Sequence, residues 1–183
     1  MAVTDKGFGA YDVRGVYPDE VNEELAYRVG RSFPTLFGAK SVAIGHDIRL
    51  SGPSLRDALA KGLTEAGCNV VDIGQCGTEM IYFATAHLGL DGGIMITASH
   101  NPKQYNGMKF VRAESRPISS DTGLKDIAAM AVGGTYPAPA PSAGHIEKKD
   151  ILDEYVKHIL SYVDVSKLKP YKIVVNTGNG AAG

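Results

Sequence analysis

Short apolar runs alternate along this chain with longer segments whose apolar residues recur at helical spacing. The runs lie at residues 42–44, 70–73, 94–96 and 108–111. Alternation of this kind is typical of layered α/β domains, in which helices cover both faces of a sheet. We therefore predict an α/β fold, a three-layer α/β/α domain with a mixed, mostly parallel four-stranded sheet.

Helix signals mark the segments between these runs. The first helix should begin near Asn22, an N-cap residue, and Pro34 should kink or end it. The second has Pro53 in its first turn and should be capped by Gly67. Two more helices are expected at residues 78–88 and 121–131. Only the loop 99–107 separates the last two runs, so the fourth strand should run antiparallel to the third.

A segment rich in Gly and Pro at residues 133–142 has the composition of a linker. We place a domain boundary there, with a first domain at 1–143. Residues 144–183 then hold a linking helix and a strand at 172–176. Because a lone strand cannot bury both of its faces, we expect this part to be the truncated start of a second, similar domain.

Charge and composition exclude several classes of partner. Nineteen Lys and Arg balance twenty Asp and Glu, without a basic run, so we expect no binding to nucleic acid. No segment resembles a signal peptide or approaches eighteen apolar residues, so no membrane association is expected and the cytoplasm is the default location. Cys68 and Cys76 are too few for a disulfide framework and are expected to be reduced thiols. A small-molecule partner is favoured, and the oligomeric state stays open.

A polar loop follows the third run, with the sequence TASHNP at residues 97–102. Open α/β sheets bind ligands at the carboxyl ends of their strands, where Ser99 should lie. The alternative is a polar turn without function. A turn needs only Asn-Pro or Asn-Gly, however, whereas this loop adds His100, Lys103 and Lys109 around one hydroxyl group.

The chemistry expected of Ser99 is that of a phosphoryl carrier. A hydrolase would need a base beside the serine, but there is no G-x-S-x-G motif, and His100 should point away from Ser99 along an extended backbone. A phosphoserine carries about −1.5 to −2 charges at neutral pH and needs cations around it. His100, Lys109, Arg14 and Arg49 could supply them.

Two of these cations have plainer interpretations. Arg14 could form only a surface ion pair with Asp12. For Arg49 the plain interpretation is stronger, because a run from Asp to Ser at the end of a strand, here residues 47–51, often just caps the next helix.

A glycine motif at residues 178–183 raises a different function. It matches G-x-G-x-x-G after an expected strand, the outline of a dinucleotide-binding turn. The helix and the acidic residue that complete this pattern would lie after residue 183. A nicotinamide-dependent dehydrogenase is therefore a third possibility, behind a phosphoryl-transfer enzyme and a non-catalytic sugar-phosphate or nucleotide-binding module.

Taken together, these motifs resemble the α-D-phosphohexomutase family, the phosphomannomutases and phosphoglucomutases. The resemblance covers residues 8–183 and rests on YDVRG at 11–15, Gly-x-Asp-x-Arg at 45–49, TASHNP at 97–102 and YNGMK at 105–109. It also explains the terminal glycines as the start of the family's second domain. Residues 77–80 and 123–126 make the chain most similar to bacterial phosphomannomutases that feed GDP-mannose synthesis.

The resemblance implies a phosphoserine enzyme that requires Mg2+. Ser99 would carry the phosphoryl group and bind the metal through it, passing the group to a hexose phosphate by way of a hexose 1,6-bisphosphate. Arg14, His100 and Lys109 match positions that assist proton transfer and hold charge. Tyr11 and Asn101 would bind substrate together with Arg14 and Lys109.

The resemblance also implies that parts of the enzyme are missing. The aspartate-rich loop with the other metal ligands, the sugar-specificity loop and the phosphate-binding domain would all lie after residue 183, so we expect no mutase turnover from these residues alone. One departure is His46, where many relatives carry an arginine. Preference for mannose, for glucose or for both sugars is left open.

Overall fold

The computed structural model describes residues 3–178. Within them, one mixed sheet has seven strands: β1 (Val13–Val16), β2 (Ser41–His46), β3 (Asn69–Gln75), β4 (Gly92–Ile96), β5 (Tyr105–Arg112), β6 (Arg116–Pro117) and β7 (Ile146–Lys148). The strand order is β1-β5-β4-β2-β3-β7. The short β6 pairs with the end of β5 that β1 does not cover. Strands β2, β3, β4 and β7 run parallel to one another, whereas β5 is antiparallel to β4, β1 and β6.

The predicted α/β class and the antiparallel fourth strand are confirmed, but the predicted number of four strands was wrong. The four expected strands are β2 to β5. The strands missing from the prediction are short, and β6 and β7 are exposed along their whole length. Such strands carry no apolar run, so hydrophobic periodicity could not reveal them.

Five helices are described: α1 (Glu23–Phe37), α2 (Gly52–Glu65), α3 (Thr78–His87), α4 (Leu124–Gly133) and α5 (Leu152–Leu160). Asn22 caps α1 as predicted, and its side-chain oxygen accepts a hydrogen bond from the Leu25 amide at 3.0 Å. Pro34 does not end the helix, which continues to Phe37 and stops at Gly38 in the left-handed conformation. The Gly38 amide donates to the carbonyl of Pro34 at 2.8 Å, so the glycine cap satisfies one of the last carbonyls of the helix.

Two adjacent glycines of β4 show which helix covers each face of the sheet. A side chain at Gly92 would meet the ring of Phe33 on α1, whereas one at Gly93 would meet Ile81 and Thr85 on α3. Because successive residues of a strand point to opposite faces of the sheet, α1 and α3 cover opposite faces. The main hydrophobic core lies on the α1 side and also receives buried side chains from α2 and α4.

The first compact unit ends at Lys149, a few residues after the boundary that the sequence suggested. The reason is β7, in which Ile146 pairs with Val70 of β3 and extends the sheet. The second unit begins at Asp150 and contains α5.

The expected strand at 172–176 is not formed: the segment has no regular secondary structure, and Val174 is 94% exposed. A strand needs a hydrogen-bonded neighbour, and no pairing is seen for this segment among the described residues. Of the glycine motif at 178–183, residues 179–183 lie outside the described part. Within that part, no helix is both long and apolar enough to cross a membrane.

Candidate active site

Ser99 lies in the loop that follows β4, at the edge of the sheet predicted for a ligand site. Its side chain is exposed, and its backbone φ of 54° is in the left-handed region. A non-glycine residue adopts this conformation at a cost in free energy, which must be offset by interactions around it. The loop around Ser99 is therefore held by specific contacts.

A relay of hydrogen bonds fixes the backbone N–H of Ser99. This N–H donates to Oγ1 of Thr97 at 2.8 Å, and the Thr97 hydroxyl donates in turn to Oδ2 of Asp47 at 2.7 Å. Asp47 follows β2, the neighbour of β4, and its own amide donates to the carbonyl of Ile96 at 3.0 Å. The loop is thus tied to the adjacent strand.

Arg49 holds the carbonyl side of the same loop. Its guanidinium donates to the carbonyl oxygens of Ser99, Asn101, Pro102 and Tyr105 at 2.7–2.9 Å. Its Nε also donates to Asp47 at 3.2 Å, and its side chain is only 9% exposed. One arginine therefore binds four carbonyls of a loop 50 to 56 residues away in sequence, which a helix-capping role for the run from Asp47 to Ser51 does not explain.

A second cluster brings together the cations of β1 and β5. Oδ2 of Asp12 lies 2.7 Å from Nη2 of Arg14 and 3.2 Å from Nζ of Lys109. Nη1 of Arg14 also donates to Oδ1 of Asn101 at 2.8 Å. The plain ion pair of Arg14 with Asp12 is present, and the same guanidinium also contacts the Ser99 loop.

Close backbone packing brings β1 against this loop. A methyl group at Gly107 would overlap the carbonyl oxygen of Val13, so only glycine fits there. Beside it, the fully buried Asn106 donates to Oγ of Ser51 at 2.8 Å and accepts from the Gly107 amide. The YNG sequence that follows the loop thus serves the packing of β5.

The structure corrects the expected orientation of His100. Nδ1 of His100 lies 3.3 Å from Oγ of Ser99, because the left-handed conformation of Ser99 turns the chain back. The expectation that the imidazole points away assumed an extended backbone. Tyr11 adjoins Asp12 in the chain, and its side chain is largely exposed, at 75%.

A cleft of about 700 Å³ opens beside the loop. Its lining includes Ser99, Asn101 and Lys103 on one side and Arg49, Leu50 and Tyr17 on the other. A hydrogen bond from the Tyr17 hydroxyl to Oε1 of Glu23 at 2.7 Å raises the pKa of Tyr17. A cleft of this volume can accommodate a small polar ligand.

The predicted Mg2+ ion finds few ligands here. Mg2+ prefers oxygen ligands in octahedral geometry. Within residues 3–178, no group of three or more His, Cys, Asp or Glu side chains could hold a metal ion. Ser99, the predicted ligand, therefore has no such group of side chains beside it in this part of the chain. The two cysteines are free thiols, and burial raises the pKa of each to about 12.

The sequence analysis missed the roles of Asp12, Asp47 and Thr97. Their only signal was position: Asp12 and Asp47 lie within the motifs at 11–15 and 45–49, and Thr97 lies two residues before Ser99. A side chain that holds a loop far away in sequence leaves no local pattern.

Comparisons with known proteins identify the fold. Residues 5–134 match the family model described as phosphoglucomutase/phosphomannomutase, alpha/beta/alpha domain I. A phosphomannomutase of Salmonella montevideo is 51% identical over 177 residues, which cover 96% of this chain and 39% of that protein. A protein of Xanthomonas campestris pv. campestris named phosphohexose mutases is 51% identical over 181 residues, 99% of this chain and 40% of that protein.

A solved structure shows the same likeness. The crystal structure of a phosphoglucomutase/phosphomannomutase family protein from Burkholderia thailandensis superposes with a TM-score of 0.80 and 32% identity, covering 90% of this chain and 37% of that one. The chain thus spans about two fifths of the length of the curated relatives it matches. By the match over residues 5–134, the chain belongs to the phosphoglucomutase/phosphomannomutase family and contains its alpha/beta/alpha domain I.

Proposed function

We propose that this chain is the N-terminal part of a phosphomannomutase, which interconverts mannose 1-phosphate and mannose 6-phosphate. Ser99 would be the phosphoserine, and a hexose 1,6-bisphosphate would be the intermediate. The observation that carries the proposal is the exposed hydroxyl of Ser99, held in a left-handed turn beside His100 and a cleft. Arg14, which bonds to Asn101 of the same loop, and Lys109 supply positive charge nearby.

The proposed reaction transfers one phosphoryl group in each direction. The P–O bond to Oγ of Ser99 breaks while a new P–O bond forms to a hydroxyl oxygen of the hexose phosphate. The proton of that hydroxyl passes to the oxygen of Ser99 by way of a group at the site. His100 is well suited to carry this proton, because its Nδ1 lies 3.3 Å from Oγ of Ser99. The bisphosphate then turns and returns its other phosphoryl group to Ser99.

The cations favour this reaction because phosphoryl transfer depends on positioning and on neutralising charge. Asp12 fixes Arg14 and Lys109 through one carboxylate oxygen, and Arg14 is also fixed by Asn101. Preorganised cations do not have to reorient when charge develops. Asn101, Tyr11, Arg14 and Lys109 are the proposed contacts to the substrate.

When bound, Mg2+ would neutralise oxygens of the transferred group. In our proposal it binds the phosphate on Ser99, with its remaining ligands in the part of the protein after residue 183. The sugar-specificity and phosphate-binding segments would lie there as well. We therefore propose that residues 1–183 alone are inactive. We also propose that the complete protein works in the cytoplasm.

The test is phosphorylation and turnover in the complete protein. After incubation with a hexose 1,6-bisphosphate, peptide fragmentation should place the phosphoryl group on Ser99. Ser99→Ala should abolish both labelling and turnover of mannose 1-phosphate. The matched control is Ser115→Ala, because Ser115 also has a left-handed backbone, with φ 57°. That variant should be labelled like the wild type.

Other outcomes would favour the other candidates. Binding of sugar phosphates without labelling of Ser99 would indicate a non-catalytic binding module. A kcat/KM for glucose 1-phosphate equal to or above that for mannose 1-phosphate would indicate a dual-specificity enzyme or a phosphoglucomutase. Turnover by residues 1–183 alone would contradict the proposed division of the site.

A further inference from the structure

We infer that Arg49 and Asp47 are positioning residues for phosphoryl transfer, because they close a ring of hydrogen bonds around the backbone of Ser99. This inference rests on the proposed function of Ser99. From the local sequence alone, this pair would be interpreted as part of a helix cap, whereas we infer that it positions Ser99.

The ring reaches both peptide groups of Ser99. On one side, the Ser99 N–H bonds to Thr97, whose hydroxyl bonds to Oδ2 of Asp47. On the other side, Nη2 of Arg49 bonds to the Ser99 carbonyl at 2.9 Å, and Nε of Arg49 bonds to the same Oδ2 of Asp47. The φ angle of Ser99 lies between these two fixed groups, so the ring opposes a return to the extended conformation.

The geometry requires a guanidinium rather than any cation. Nε, Nη1 and Nη2 of Arg49 all donate, and the four carbonyl acceptors lie on residues 99, 101, 102 and 105. Lysine offers one ammonium group, which cannot reach this spread of acceptors. With its charge used on carbonyls and on Asp47, Arg49 acts on the reaction through the loop.

The ring is also anchored to the sheet. The Asp47 amide bonds to Ile96, the last residue of β4, and Oδ1 of Asp47 accepts from the Arg49 amide at 3.0 Å. The ring around Ser99 is thereby joined to the contact between the ends of β2 and β4. A displacement of about 1 Å can slow a reaction a hundredfold even when it arises outside the reacting groups.

The test uses the complete protein and compares Arg49→Ala, Arg49→Lys and Thr97→Val. We expect Arg49→Ala to lower kcat by about a hundredfold with little change in KM. Arg49→Lys should recover little of this loss, whereas added guanidinium ion should raise kcat of Arg49→Ala severalfold. Thr97→Val preserves shape and removes only the hydroxyl between Ser99 and Asp47, so it tests the ring if Arg49→Ala fails to fold.

A second readout is independent of activity. Hydrogen exchange of the Ser99 amide, followed by NMR, should be faster in Arg49→Ala and in Thr97→Val than in the wild type. Arg56→Ala is the matched control: this arginine also pairs with carboxylates, those of Asp57 and Asp72, and both of these partners lie outside the loop. It should change neither kcat nor the exchange of Ser99.

The possible failures are distinguishable. A wild-type protein without phosphoserine or turnover would overturn the proposed function. A phosphorylated, active wild type with unchanged kcat and unchanged Ser99 exchange in Arg49→Ala would overturn this inference alone. Loss of kcat without guanidinium rescue and without faster exchange would also overturn it, because the arginine would then act in another way.

Discussion

At the scale of single residues, Arg14 shows why an ion pair and a functional role need not exclude each other. A guanidinium has donors on several edges, and Arg14 uses one for Asp12 and another for Asn101. The partly exposed pair with Asp12 contributes little stability by itself. Its consequence is orientation, since the same Asp12 oxygen also holds Lys109.

Glu23 allows a prediction of pH dependence. Burial alone would raise the pKa of Glu23, but hydrogen bonds donated by Tyr17 and Ser54 outweigh it, so the pKa lies below its ordinary value of 4.5. A carboxyl group of lowered pKa stabilises the fold above the unfolded-state pKa, and this contribution is lost as pH falls through the folded-state pKa. Tyr17→Phe should therefore raise the pKa of Glu23 and cost about 1 kcal/mol at pH 7.

The measurements are an NMR titration of the Glu23 carboxyl carbon and urea unfolding at pH 7 and pH 3. The difference in stability between wild type and Tyr17→Phe should become smaller as the pH falls through the folded-state pKa of Glu23, because protonation removes the contribution of the ionised carboxyl group. Tyr171→Phe is a suitable control because this tyrosine is 76% exposed. An unchanged Glu23 pKa in Tyr17→Phe would contradict the assigned cause.

At the scale of elements, the crossing of α1 and α2 depends on two glycines. A methyl group at Gly30 would overlap the backbone of Leu59, and one at Gly62 would overlap the carbonyl of Tyr27. Gly62→Ala should therefore lower the free energy of unfolding by about 1–3 kcal/mol, because the helices must move apart. Urea denaturation measures this directly.

Gly133→Ala is the control for this prediction. Gly133 ends α4, and a methyl group there would come no closer than 3.4 Å to Thr135. Alanine at this position should be neutral or stabilise by up to about 1 kcal/mol, since it favours the helical backbone. Equal gains in both variants would show that helix propensity, and not packing, governs Gly62.

Elements with a strong period could be predicted from the sequence, and contacts between distant segments could not. Leu55, Leu59 and Leu63 recur every four residues in α2, and Asn22 caps α1, so both helices have signals that are local in sequence. The left-handed turn at Ser99 was missed because no glycine marks it. The carbonyl contacts of Arg49 join segments 50 to 56 residues apart, so no local pattern records them.

At the scale of the whole molecule, the candidate site draws on four neighbouring strands. Arg14 comes from β1, Lys109 from β5, Ser99 follows β4, and Asp47 follows β2. These strands are adjacent in the order β1-β5-β4-β2. Because β5 runs antiparallel to β4, its first residues lie beside the end of β4, and β1, with its arginine, pairs with those same residues.

The end of the first compact unit provides the last prediction. A chain ending at Lys149 keeps the whole main core, which lies within residues 13–131, and should unfold cooperatively with nearly the full-length Tm. A chain ending at residue 143 loses β7, including the backbone bonds from Val70 to His145 and from Lys149 to Asp72. A loss of about 2 kcal/mol would lower the Tm by roughly 4–8 °C. Calorimetry of both chains tests this, and equal Tm values would mean that β7 adds nothing to the unit and that the boundary belongs at 143.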